Sequence, residues 1–139
     1  MKNIEINQFE RYTTIFKALS DLTRLKIIWL LLSIDSKISV SEIIDVLEEN
    51  QYNVSKHLKI LKNSNLIHER KEGKWSFYYY LPSDDSFDEY IRKTVMSIPK
   101  ELMIEEIGRC SKRLSMRVDG KCVLGSKSDL WSKIKDENN

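Results

Sequence analysis

Apolar positions recur along the chain at helical spacing, and the polar breaks between them mark the element boundaries. Phe9, Tyr12, Phe16 and Leu19 share one face of a first helix whose start the pattern leaves open, a face expected to meet a partner. Ser20 or Asp21 can cap the next helix, LTRLKIIWLLL, which is apolar around most of its circumference and so predicts the central buried element. The polar run Ser33 to Lys37 ends it. Ser39 and Glu42 then form an S-x-x-E capping box ahead of Ile43, Ile44 and Leu47, predicting a short helix over Val40 to Leu47. Glu48 and Glu49 turn the chain into Asn50, whose side-chain oxygen can cap a helix through Lys62 anchored by Val54, Leu58 and Leu61. Two short helices joined by a tight turn, the second presenting a polar N-terminus, predict a helix-turn-helix, although the glycine often found in such a turn is absent.

The following stretch, LIHERKEGKWSFYYYL, gives two strand-like aromatic runs about Glu72-Gly73, a β-hairpin wing. Phe87, Ile91, Val95 and Ile98 predict a helix within Asp84 to Ser97, and Met103, Ile107, Cys110 and Leu114 an apolar seam on the next. These late helices, with the first, are candidates to close a dimer. Asp119-Gly120 signals a small hairpin placing Cys122 across from Arg117. Ser128 can cap a last helix with Leu130, Trp131 and Ile134 inward, and Asp136 to Asn139 are expected to fray. The fold class is therefore mainly α with a β-hairpin wing (α+β): a winged helix-turn-helix with N- and C-terminal dimerisation helices. The division expected is 1–98 for the winged helix-turn-helix with its dimerisation helices and 99–139 for a C-terminal helical extension carrying both cysteines.

Charge sharpens the picture at one place. The chain is formally only +2, yet between Gln51 and Lys74 six cations face two anions. The exposed first turn of the helix after Asn50 is Gln51, Tyr52, Asn53, whose amide and hydroxyl groups suit base edges; Gln and Asn bond bidentately to adenine in the major groove. Ser55 can contact bases or phosphate. Lys56, Lys59 and Lys62, with Arg70, Lys71 and Lys74 of the wing, are placed for phosphates. An ordinary solvated helix face and a hairpin made basic for solubility are the competing readings, and the two features occurring together favour nucleic acid. Two cysteines and no visible signal peptide suggest a reduced, cytoplasmic protein. The longest strongly apolar stretch, Ile27 to Leu32, falls far short of the ~20 residues of a membrane span.

From Phe16 to Leu81, the segments FKALSDLTRLKIIWLLL, ISVSEI, VSKHLKILKNSNLI and KEGKWSFYYYL resemble the ArsR-type (ArsR/SmtB) family of winged-helix transcription regulators. The resemblance implies a homodimer that occupies an operator and represses transcription until an inducer, often a metal or metalloid ion, releases it. It also places recognition-helix positions on Gln51, Tyr52, Asn53, Ser55 and Lys56, and the wing on Arg70 to Lys74. Many members sense thiophilic metals through a C-x-C motif opening the third helix; here the matching positions are Ser39 and Ser41, which cannot form thiolate bonds. Another group binds zinc on the late dimerisation helix, where this chain offers Asp84, Asp85, Asp88 and Glu89 but no histidine.

Cys110 and Cys122 remain, outside the matched region. They read either as packing thiols or as a sensor holding a thiophilic metal or metalloid, with Arg117 and Lys121 able to make Cys122 redox-reactive. His57 reads as a packed or phosphate-contacting residue, and the facing of His68 depends on hairpin register. The function expected is a dimeric, sequence-specific DNA-binding repressor on an imperfectly palindromic double-stranded operator, released by metalloid, soft metal or thiol oxidation through Cys110 and Cys122. The alternative is a winged-helix protein-interaction module without an inducer site. For an enzyme there is no phosphate-cradling glycine loop and no nucleophile-base constellation; Ser55 and His57, two apart on a helix, do not share a face.

Overall fold

The computed structural model describes residues 2–137; the expected fraying at 138–139 lies outside them. The chain runs α1 (Lys2–Leu19), α2 (Leu22–Ile34), β1 (Ile38–Ser39), α3 (Val40–Leu47), α4 (Gln51–Asn63), β2 (His68–Glu72), β3 (Trp75–Tyr79), α5 (Ser86–Met96), a 3₁₀ turn (Lys100–Met103), α6 (Ile104–Leu114) and α7 (Asp129–Ile134). The helix starts follow from their caps. Asp21 accepts from the Arg24 N–H, Asn50 from Asn53 and Ser128 from Trp131. Ser39 and Glu42 close both halves of the capping box.

Helix α2 is the centre, with the consecutive residues Ile27 to Leu31 all buried. Against it pack Val54, Leu58 and Leu61 of α4 and Ile91 and Val95 of α5, and Ile43, Ile44 and Val46 of α3 join the same core beside α4. On helix α1 Ile15 and Ala18 point inward and Leu19 packs against the core, whereas Phe9 is 74% and Phe16 56% exposed, consistent with a face left for a partner. Tyr12 and Phe16 instead set their ring edges against Phe87 of α5, centroids 4.6 and 5.7 Å away. Phe9 and Phe16, with exposed Tyr90 and Met96 of α5, leave an apolar surface across both helices.

The sheet has the order β1-β3-β2, antiparallel throughout. The hairpin closes in two residues, Glu72 pairing Trp75, with Gly73 at φ 61° in the first central position, where a side chain would be strained. The two-residue strand β1 was not anticipated. It pairs Ser39 with Phe77 and so ties the start of α3 to the wing.

The second half of the chain departs most from expectation. On α6 the buried positions are Glu106, Cys110 and Arg113, with Met103 just before it, while Ile107 is left exposed. Of the expected seam, Met103 and Cys110 are in the core and Leu114 packs against it; Glu106 and Arg113 are buried in addition, Arg113 because α6 packs on the polar outer face of α3. Arg109 and Arg113 of α6, with Arg117 just beyond its end, make that contact. Arg109 donates to the Val46 carbonyl at 2.7 Å, Arg113 to Asp45 at 2.8 Å, and Arg117 to both Glu42 oxygens at 2.7 and 2.8 Å. With α4 and the sheet on one side and α6 on the other, α3 is enclosed. Beyond Arg117, Asp119 and Gly120 both take positive φ (53° and 73°) between the bridged Val118 and Lys121, the predicted tight turn. No helix among the described residues is long and apolar enough to cross a membrane.

Candidate nucleic-acid interface

Helix α4 divides cleanly. Val54, Leu58 and Leu61 are at 0% exposure, whereas Gln51, Tyr52 (76%), Ser55, Lys56 and Lys59 face solvent. The chain enters α4 through Glu48, which takes the left-handed conformation (φ 56°) that a glycine would adopt without strain. Its carboxylate is held by Arg109 at 3.1 Å and Lys135 at 3.8 Å. The missing glycine is thus met by a non-glycine residue held in place by the C-terminal segment. Asn53 is less available than expected, being half-buried with its amide 3.5 Å from Glu49.

The wing lies beside this surface. Arg70, Lys71 and Lys74 are all exposed, but Arg70 shares charge with Glu72 at 3.5 Å, and Lys74 rests over the Trp75 ring, 5.0 Å from its centroid. Glu72 also pairs with Lys37, and those contacts hold its carboxyl below the ordinary value. Lys62 is a correction. It donates to Glu69 at 2.9 Å, fixing the base of the wing to the end of α4 rather than reaching for a phosphate. That bond, with a second from the Tyr78 hydroxyl at 3.1 Å, keeps the Glu69 carboxyl below its usual range, and burial with the same contact pushes Tyr78 up to about 12.

Between helix and wing opens a polar cleft of about 460 Å³. Gln51 and Ser55 line one side, Lys74 and Trp75 another, and Gly125 and Ser126 of the C-terminal segment a third. The unpaired lysines Lys56, Lys59, Lys71 and Lys74 flank a surface of amides, hydroxyls and one exposed phenol, among the described residues. That is the donor and acceptor set that reads base edges, with cations placed for the backbone.

The other candidates resolve differently. Arg24 donates to the ring Nδ1 of His57 at 3.0 Å, so His57 is a packed residue joining α2 to α4. His68 stacks on Tyr79, centroids 5.6 Å apart. Asp88 accepts from Tyr80, from Arg92 at 2.8 Å and from the Ser83 N–H at 3.2 Å, and Asp85 caps α5 and holds Arg11 at 2.9 Å. These carboxylates are engaged structurally, and among the described residues no three His, Cys, Asp or Glu gather as a metal site.

Both cysteines are buried, and neither is in a disulfide. Cys122 lies against the start of α3, its sulfur 3.5 Å from the Ser39 hydroxyl and 3.8 Å from that of Ser41. Burial pushes the Cys110 thiol up to about 11. The arginine ladder of α6 was missed from sequence. Its signal was present as acids at Glu42 and Asp45 of α3 and Glu48 just after it, matched by arginines four apart, Arg109, Arg113 and Arg117.

Comparison with known proteins agrees with this geometry. Residues 21–69 match the family described as bacterial regulatory protein, arsR family. The chain is 41% identical over 87 residues to an uncharacterised HTH-type transcriptional regulator of Methanocaldococcus jannaschii, covering 63% of this chain and 94% of that protein. It is 41% identical over 68 residues to the arsenical resistance operon repressor of Escherichia coli, covering 49% of this chain and 57% of the repressor. Among solved structures, the homodimeric winged helix-turn-helix DNA-binding domain of a possible ArsR-family regulator from Mycobacterium bovis superposes with a TM-score of 0.57 at 22% identity, covering 70% of this chain and 86% of that one. The family match ends before the wing closes, so α6, α7 and the loop between them lie beyond it. The chain belongs to the ArsR family of winged helix-turn-helix transcriptional regulators.

Proposed function

We propose that this regulator is a dimeric repressor whose two α4 helices enter successive major grooves of an imperfectly palindromic operator, with half-sites roughly 34 to 36 Å apart. The observation carrying this reading is the exposed polar first turn of α4, which projects from a fully buried apolar anchor. The apolar surface across α1 and α5 supports a second copy of the chain as partner, since Phe9 and Phe16 have little cover within one subunit. In this arrangement Gln51, Tyr52, Asn53 and Ser55 read bases, and Lys56, Lys59, Lys71 and Lys74 hold phosphates, with Arg70 shared between phosphate and Glu72.

Each lysine counts twice in a dimer, so the four contribute about 7 units to the slope of log K against log salt. Gln51→Ala should relax base preference on duplexes selected from a random pool. Lys74→Ala should weaken selected and random duplexes alike and reduce the slope by about 1.8. Equal losses on both duplexes for both variants would contradict the assignment.

The release step in this reading is thiol-based. Cys122 touches Ser39, the cap of the first helix of the motif, and Cys110 lies on the face of α6 that packs on α3, so a ligand or modification there would act on the α3–α4 unit. The chemistry favours Cys122, because Cys110 is held protonated at neutral pH. Arsenite, cadmium and peroxide should each be tested for release of bound duplex from the wild type, Cys110→Ser and Cys122→Ser. Identical behaviour of all three proteins would remove the sensor from the proposal.

A further inference from the structure

The loop between α6 and α7 forms the third wall of the cleft at α4 and the wing, and we propose that it is a further DNA-contacting element, holding backbone phosphates through Lys121 and Lys127. The inference rests on the DNA-binding reading above. It starts from the firmness with which this loop is held. Arg113 donates to the Leu124 carbonyl at 2.7 Å and the Gly125 carbonyl at 3.3 Å, and the Lys127 N–H donates to Asp45 of α3 at 2.8 Å. Cys122 is buried against Ser39. The loop is therefore fixed to α3, the helix that α4 packs against, and keeps its place relative to the bases that α4 would read.

Its chemistry suits the same ligand as the other two walls. Between Lys121 and Lys127 there are two cations and no acid, the nearest in sequence being Asp119 and Asp129 outside it. Both lysines are exposed, and neither enters an ion pair among the described residues. Lys121 lies toward the wing, since its charge is one of those holding the Glu72 carboxyl down. Gly125 and Ser126 face Gln51, Ser55 and Lys74 across the cleft. A polyanion passing from the recognition helix to the wing would run along this wall at Gly125 and Ser126, with Lys121 on the wing side and Lys127, next to Ser126 in sequence, lining a neighbouring hollow with Asp45, Glu48 and Lys135. A free small anion would need only one wall, so the duplex backbone is the ligand that the whole arrangement fits.

The test uses the full chain, a duplex selected by the wild-type protein and a random duplex of equal length, with affinities measured between about 50 and 200 mM salt. Lys121→Ala/Lys127→Ala should weaken both duplexes by at least about tenfold at the low-salt end and cut the salt slope by about 3.6, four phosphates per dimer. Lys121→Arg/Lys127→Arg should restore the slope, and Lys100→Ala, removing a cation from the 3₁₀ turn, should leave it nearly unchanged. A slope within one unit of wild type for the double alanine variant would overturn the proposal. Tighter binding by that variant would overturn it equally, because the loop would then obstruct the duplex. If Lys74→Ala weakens binding and the loop variant does not, only this inference falls; if the wild type binds neither duplex, the proposed function falls with it.

Discussion

Arg113 and Asp45 form an ion pair at 2.8 Å in which each side chain is only 1% exposed, a rare placement for two full charges and a direct test of how the C-terminal segment is attached. Arg113 also supplies two carbonyl contacts to the loop after α6, and Asp45 takes the Lys127 N–H on its other oxygen. Replacing Arg113 by Met keeps most of the volume but strands the Asp45 carboxylate away from water. Loss of one partner of such a pair costs about 3–5 kcal/mol, a large part of the ~5–15 kcal/mol by which a domain is usually stable. With a urea dependence of about 2 kcal/mol per molar, the unfolding midpoint should fall by about 2 M. Asp45→Leu with Arg113→Met should recover most of that loss, because neither charge is then buried alone. Urea titrations followed by far-ultraviolet circular dichroism on the two single variants and the double variant give the coupling directly. An Arg113→Met midpoint within about 0.5 M of wild type would mean that α6 is not docked on α3 in solution, and the enclosure of α3 would be wrong.

The Glu106 side chain is 10% exposed and bonded to Lys26 at 2.7 Å; burial raises its carboxyl, but Lys26, the backbone N–H and the Arg109 charge together outweigh burial and leave it below the ordinary 4.5. A depressed carboxylate contributes stability that is present above 4.5 and lost as pH falls through its folded value, so Glu106→Gln should melt lower than wild type at pH 7 and converge with it in acid. A melting difference that stays constant with pH would refute the pairing. For Cys110, held up at about 11, the carbon-13 shift of a labelled β-carbon should stay that of a thiol through pH 9; a thiolate shift appearing at or below that pH would show the site is not closed to water.

The helix-turn-helix was legible because its signals are local. The Ser39-Glu42 box, the Asn50 cap and the Val54, Leu58, Leu61 stripe act within a few residues, and the bounds of α3 and α4 followed from them. Gly73 announced the wing for the same reason. The arginine ladder depends on contacts 63 to 75 residues apart, which no window of the sequence displays. Periodicity gave Met103, Cys110 and Leu114 but misplaced Ile107 and missed Arg113, since the rule that buried positions are apolar fails when the opposing face is itself charged. Glu42 and Asp45 sit on α3 where a two-sided apolar helix would carry leucine, and they select arginine at positions 113 and 117. The same pairing explains why Glu48 can stand where a glycine would be strain-free. A left-handed non-glycine residue costs on the order of 1 kcal/mol, and the contacts of its carboxylate with Arg109 and Lys135 oppose that cost in the folded chain. The turn that aims α4 is thus set by side chains from the far end of the sequence. A change in how α6 sits on α3 would therefore reach the start of α4 through Glu48.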